Sequence, residues 1–152
     1  MNIALGSDHR GLEFKQAIQD FIIELGHGCH DFGCYDSNSV DYPDIAREVA
    51  GAVNSGEYDY GILICGTGIG MSMAANKIRG IRAALCRDAL DASRARQHND
   101  ANILCLGSER VQPDTAREIV KTFLSVQFEG GRHLQRLDKM RSLENIMFDN
   151  RP

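Results

Sequence analysis

The stretch Ile62–Lys77, ILICGTGIGMSMAANK, runs from apolar residues to a cysteine, through three glycines and into a series of small residues. An apolar run of strand length that breaks at Gly66, Gly68 and Gly70 and then continues at helical spacing reads as a buried strand turning into a helix. The pattern repeats on either side. NIALG (2–6), GCHDFG (28–33, the weakest), YGILICG (60–66), IRAALC (81–86) and ANILCLG (101–107) read as strands. Between the first two, GLEFKQAIQDFIIELG places Leu12, Ile18, Phe21, Ile22 and Leu25 on one helical stripe that stops at Gly26. DYPDIAREVAGAVNSG sets Pro43 in a first turn, spaces Ile45, Val49 and Val53 helically and stops at Gly56. Further helices are expected over about 68–78, 88–97 and 113–125. Strand–helix alternation with nearly all-apolar strands predicts a doubly wound, Rossmann-like α/β domain, a five-stranded parallel sheet with helices on both faces.

The totals agree with one domain. The chain has 152 residues, enough to bury a core, and no tract suggests a linker, so 1–152 is read as a single unit. A net charge of −4 offers no basic surface for nucleic acid, and the run SRARQH (93–98) is expected on the outer face of a helix. No apolar stretch approaches the roughly 20 residues of a membrane span. The opening MNIALGSDHRG has no basic leader, so a cytoplasmic location is expected. Five cysteines without a CxxC pair suit a reducing compartment. Cys86 and Cys105 read as small core residues, and Cys29, His30 and Cys34 fit no zinc spacing. The segment 130–152 opens after Gly130–Gly131 and carries Leu134, Leu137, Met140, Leu143 and Met147 at spacings of three and four. It is expected to form a helical arm, packed on its own subunit or reaching onto a partner.

Ligands of an open parallel sheet bind beyond the carboxyl ends of the strands, near the switch in strand order. The first strand delivers GSDHRG there and the third delivers CGTGIG, setting Asp8 and His9 against Cys65 and Thr67. The turn is a poor dinucleotide loop: the third position of GxGxxG is Met71, and no acidic residue ends the next strand. Its converging amides suit a smaller anion, a phosphate or the oxygen of a developing enolate. A thiol at the start of a helix is a candidate nucleophile or base, which gives Cys65 a purpose at the strand end. His98, in RQHNDAN, is expected in the loop before the fifth strand, at the amino edge and away from its own subunit's crevice. It is then either a polar residue without a role or a contribution to a neighbour's crevice. His27 and His30 flank the weak second strand and read as structural or merely solvated. Arg132 and Arg136, one helical turn apart, suit phosphate capture or a solvated face.

Taken together, GSDHRG, DYPD, ICGTGIGMSMAANK, RGIRAAL, RARQHNDANIL and EGGRH with a later Arg resemble the ribose-5-phosphate isomerase B family, which includes the galactose-6-phosphate isomerase subunits. The resemblance runs in order to about residue 145. It implies a cofactor-free, metal-free aldose–ketose isomerase that works on a sugar phosphate through an enediolate. Ribose 5-phosphate is the first expectation; allose 6-phosphate, galactose 6-phosphate and tetrose phosphates are the alternatives. By motif position Cys65 is implied as the base, Thr67 with the amides of Gly66, Gly68, Ile69 and Gly70 as the enediolate stabiliser, and His98 as the ring opener. Asp8, Tyr42 and Asn99 are implied as sugar contacts, and His9, Arg132 and Arg136 as the phosphate end. It also implies a homodimer with sites shared between subunits, or a dimer of dimers. One departure stands out: related sequences carry an arginine after the GS pair, whereas LGSERV has Glu109 there and Arg110 one later. From another class, a non-catalytic nucleotide- or anion-binding module would need only the glycine turn. A thiol enzyme pairing Cys65 with His98 is a further reading.

Overall fold

A computed structural model describes residues 1–149, with side chains through Ile146. Five strands form one all-parallel sheet: β1 (Asn2–Ser7), β2 (Gly28–Asp31), β3 (Tyr60–Cys65), β4 (Ala83–Leu85) and β5 (Ile103–Gly107), in the order β2-β1-β3-β5-β4. The helices between them are α1 (Leu12–Glu24), α2 (Tyr42–Asn54), α3 (Ile69–Ala75), α4 (Ala89–Asn99) and α5 (Pro113–Ser125). A single 3₁₀ turn, His9–Gly11, precedes α1, and α6 (Arg132–Asp149) closes the described chain.

The two faces of the sheet divide the core by the period of two that a pleated strand imposes. Ile3, Leu5, Ile62, Ile64, Leu104 and Leu106 point to one side, where α1, α4 and α5 cover them with Ile18, Ile22, Ala92, Ile119 and Phe123. Ala4, Leu63, Cys65, Ile103 and Cys105 point to the other, against Ala46, Val49 and Val53 of α2 and Met71 and Ala75 of α3. Burial on both faces explains why these strands read as unbroken apolar runs. Cys86 and Cys105 are core residues, as expected.

Several expectations change in detail. β4 is confined to Ala83–Leu85, although Ile81 and Cys86 at its flanks are buried. α4 continues to Asn99, so His98 and Asn99 belong to a helix and not to a loop. Asp100, with φ of 44°, ends it in the left-handed conformation. The basic run 93–98 is not all outer surface: Arg96 is buried, held by Asp100 Oδ1 at 2.8 Å, the Ala101 carbonyl at 2.7 Å and the Tyr60 hydroxyl at 2.7 Å. Lys15 is also buried, on the core stripe of α1. In the arm, Leu137 is buried while Leu134, Met140 and Leu143 remain exposed; the side chain of Met147 lies outside the described residues. The Glu144 carboxylate accepts the Gly80 amide at 3.3 Å, so α6 leans on its own subunit beside β4.

Candidate active site

The order β2-β1-β3 means that the chain leaves β1 in one direction and returns to its other side at β3. This reversal opens a crevice between the carboxyl ends of β1 and β3. There the Asp8 amide donates to the Ile64 carbonyl at 3.1 Å, which locks the two strand ends together. The turn after β3 folds back so that the Gly68 amide donates to Cys65 Sγ at 3.1 Å. Cys65 is buried, with 5% of its surface exposed, on the α2/α3 face of the sheet. Thr67 is exposed, and its Oγ1 accepts the Ile69 amide at 3.3 Å at the start of α3.

Two glycines are obligatory here, one within the turn and one facing it. Gly68 has φ of +75°, and a Cβ there would lie 2.5 Å from Leu85 Cδ1 and 2.9 Å from the Leu106 carbonyl carbon. Gly107, at the end of β5, lies so close to the Thr67 backbone that a Cβ would sit 2.7 Å from it. The turn is thus clamped onto β5, and its amides have no freedom to collapse.

Asp8 and His9 follow β1, and Tyr42 is the first residue of α2. The Asp8 carboxylate, buried, caps the 3₁₀ turn by accepting the amides of Arg10 at 3.0 Å and Gly11 at 3.1 Å. His9 Nδ1 accepts the Val40 amide at 3.3 Å, an acceptor role that leaves the ring hydrogen on Nε2. Tyr42 opens α2 with its ring over Gly70, where a Cβ would come within 2.7 Å of it. The loop that leads to Tyr42 is anchored by Lys15, whose Nζ donates to Asp31 Oδ2 at 2.6 Å and to the Cys34 carbonyl at 2.5 Å.

Glu109 reaches the same rim. It pairs with Arg10, and both side chains cover Gly66, within 2.9 Å and 3.1 Å of where its Cβ would be. The Glu109 carboxylate therefore carries its own cation, supplied from the 3₁₀ turn after β1. Both residues went unnoticed as a pair in the sequence because 99 positions separate them.

His98, Asn99, Arg132 and Arg136 gather elsewhere. Arg96, two residues before His98, bonds Tyr60, the first residue of β3, whereas Cys65 is the last. Five residue steps at about 3.3 Å put roughly 16 Å between those strand ends. The His98 ring stacks on His133 with centroids 4.2 Å apart and planes 9° apart. Glu129 Oε2 lies 3.9 Å from His98 Nε2 and 3.6 Å from His133 Nε2. Among the described residues these three could meet a metal, with one ligand atom each within 4.8 Å of the others. Parallel rings, however, send their Nε2 lone pairs side by side and not to one point, so the set is not prepared for a metal. Burial, reinforced by His98 and Arg132, lowers the His133 pKa below the usual histidine value.

The comparisons with known proteins follow the same outline. Residues 3–140 match the family model described as Ribose/Galactose Isomerase. Ribose-5-phosphate isomerase B of Escherichia coli is 47% identical over 142 residues, 93% of this chain and 95% of that protein. D-erythrulose-4-phosphate isomerase of Pectobacterium atrosepticum is 39% identical over 92% of this chain and 93% of that protein. The structure of ribose-5-phosphate isomerase B from Clostridium thermocellum superposes with a TM-score of 0.95 at 50% identity, covering 97% of this chain and 99% of that one. With its parallel sheet, its clamped glycine turn and a family match across nearly the whole length, the chain belongs to the ribose/galactose isomerase family, as a sugar-phosphate isomerase of the ribose-5-phosphate isomerase B type.

Proposed function

We propose that the protein interconverts ribose 5-phosphate and ribulose 5-phosphate, with Cys65 as the base. The observation that carries this reading is the Cys65 sulfur facing the Gly68 amide in the β1/β3 crevice. The thiolate takes the proton from C2 of the open aldose while the electron pair moves toward the C1 carbonyl. Charge gathers on O1, where Thr67 and the amides of Gly66 to Gly70 stabilise it as it forms. The thiol then returns the proton to C1, a second proton passes from O2 to O1, and the ketose leaves with atoms and electrons unchanged in number. No resident cofactor takes part. Asp8, Tyr42 and Asn99 hold the hydroxyls, and His9, Arg132 and Arg136 hold the phosphate.

His98 opens the sugar ring by giving a proton to the ring oxygen as its bond to C1 breaks. Its place at the amino edge supports a two-fold homodimer in which His98, Asn99 and the tail arginines serve the partner's crevice. The exposed Ile69, Met73, Leu134, Met140 and Leu143 give such an interface apolar surface to bury.

Conversion of ribose 5-phosphate to ketose tests the reading. Cys65→Ala is expected to lower turnover by about 10²–10⁴-fold, the range for a positioned proton acceptor. Full activity in that variant would remove Cys65 as the base. A panel with erythrose 4-phosphate, allose 6-phosphate and galactose 6-phosphate tests the choice of sugar. A higher kcat/KM on any of these would replace ribose 5-phosphate as the substrate.

A further inference from the structure

The segment from Glu129 to His133 has a shape of its own. Gly130 and Gly131 both adopt left-handed backbone, with φ of 67° and 55°, a conformation other residues seldom hold twice in succession. This double reversal brings Glu129 and His133 to the same side chain, that of His98. The Glu129 amide donates to the Gln97 carbonyl at 3.1 Å, which ties the reversal to the last turn of α4. His133 is 4% exposed, and its Nδ1 is buried with no hydrogen-bond partner among the described residues, so its remaining polar reach is through Nε2 toward Glu129.

We propose that Glu129 and His133 are positioning residues for His98, holding its imidazole ready for ring opening. The proposal rests on the isomerase reading above and adds two residues to it. His133 is a wall: a buried flat ring against which the half-exposed His98 ring lies parallel at 4.2 Å, which fixes its plane. Glu129 Oε2 lies 3.6 Å from the His133 Nε2 and 3.9 Å from the His98 Nε2, which the Arg94 guanidinium also approaches at 3.5 Å. Glu129 and His133 both act through His98, and so on the ring opening that precedes proton abstraction.

That separation makes the proposal testable with ribose 5-phosphate carrying deuterium at C2. Glu129→Gln, a change at a half-exposed side chain, and His133→Ala are each expected to lower kcat/KM by about 10–100-fold, the scale of a misplaced catalytic group. Because ring opening then limits the rate, the deuterium isotope effect on kcat/KM falls to unity. His133→Phe, which restores the stacking wall, is expected to recover activity relative to His133→Ala. Unchanged kcat/KM in Glu129→Gln, or a loss that keeps a full isotope effect, would overturn the proposal. A wild-type protein inactive on every sugar phosphate would instead remove the isomerase reading beneath it.

Discussion

Lys15 takes a core position on α1 that its sequence neighbours mark as apolar. Its ammonium is buried and satisfied by Asp31, the Cys34 carbonyl and, at 5.4 Å, the face of Tyr35. Removing the cation strands the Asp31 carboxylate, which is only one-fifth exposed. Lys15→Met is therefore expected to cost about 3 kcal/mol, read as a lowered midpoint in a urea melt. At the rim of the glycine turn, Arg10→Ala leaves Glu109 uncompensated where an anionic substrate must approach. An exposed pair of this kind is worth up to about 1 kcal/mol, so KM should rise about two- to fivefold with kcat little changed. Three cysteines are expected to be unreactive for a physical reason. Burial, aided by neighbouring carboxylates, pushes the Cys29 thiol up to about 11 and the Cys86 thiol up to about 12, and burial raises Cys105 well above its usual value. At pH 8 roughly one Cys29 in a thousand is thiolate. Mass spectrometry after brief iodoacetamide treatment should find Cys29, Cys86 and Cys105 unmodified, with any loss of activity following alkylation at Cys65.

Among the elements, the strands were legible, and so was α4 except for its last turn. β1, β3 and β5 are apolar on both faces, so no register ambiguity hides them. α4 buries Ala92, Ala95 and Arg96, a stripe of small and charged residues that periodicity does not mark as a core face. Its last turn is held by tertiary bonds from Arg96 and from Arg82, which reaches Asp100 Oδ2 at 3.1 Å. Hence the sequence places His98 in a loop after α4, although it is helical. The turn into α3 was legible as glycine, but what each glycine serves was not. At Gly68 both the positive φ and the contact with Leu106 forbid a side chain. Gly68→Ala is expected to lose about 1–3 kcal/mol to backbone strain and to move the amide facing Cys65. Thermal melting should show the first effect and a drop in kcat the second.

For the whole molecule, the decisive geometry is the distance between the two ends of the sheet. Cys65 ends β3 and His98 sits beside its beginning, so one chain alone does not close the proposed site. Mixing an inactive Cys65→Ala variant with an inactive His98→Ala variant, with subunits exchanged by refolding, should restore activity, since a mixed dimer holds one complete site. No recovery in a mixture shown to contain mixed dimers would place both residues in the same chain's site.

Local chemistry decided much of this protein in advance. Apolar runs, helix stops and a glycine turn behind a cysteine are properties of neighbouring residues, and backbone sterics and burial act on them at once. Asp8 and His9 could be set at the same edge as Cys65 and Thr67 because strand order in a parallel sheet brings certain ends together. Arg10 against Glu109, Lys15 beneath Asp31, and Glu129 with His133 around His98 came only with the folded chain. Each joins charged or polar groups from separate elements, and such pairs leave no periodic trace in the sequence because their energy exists only once the backbone has brought them within a few ångströms.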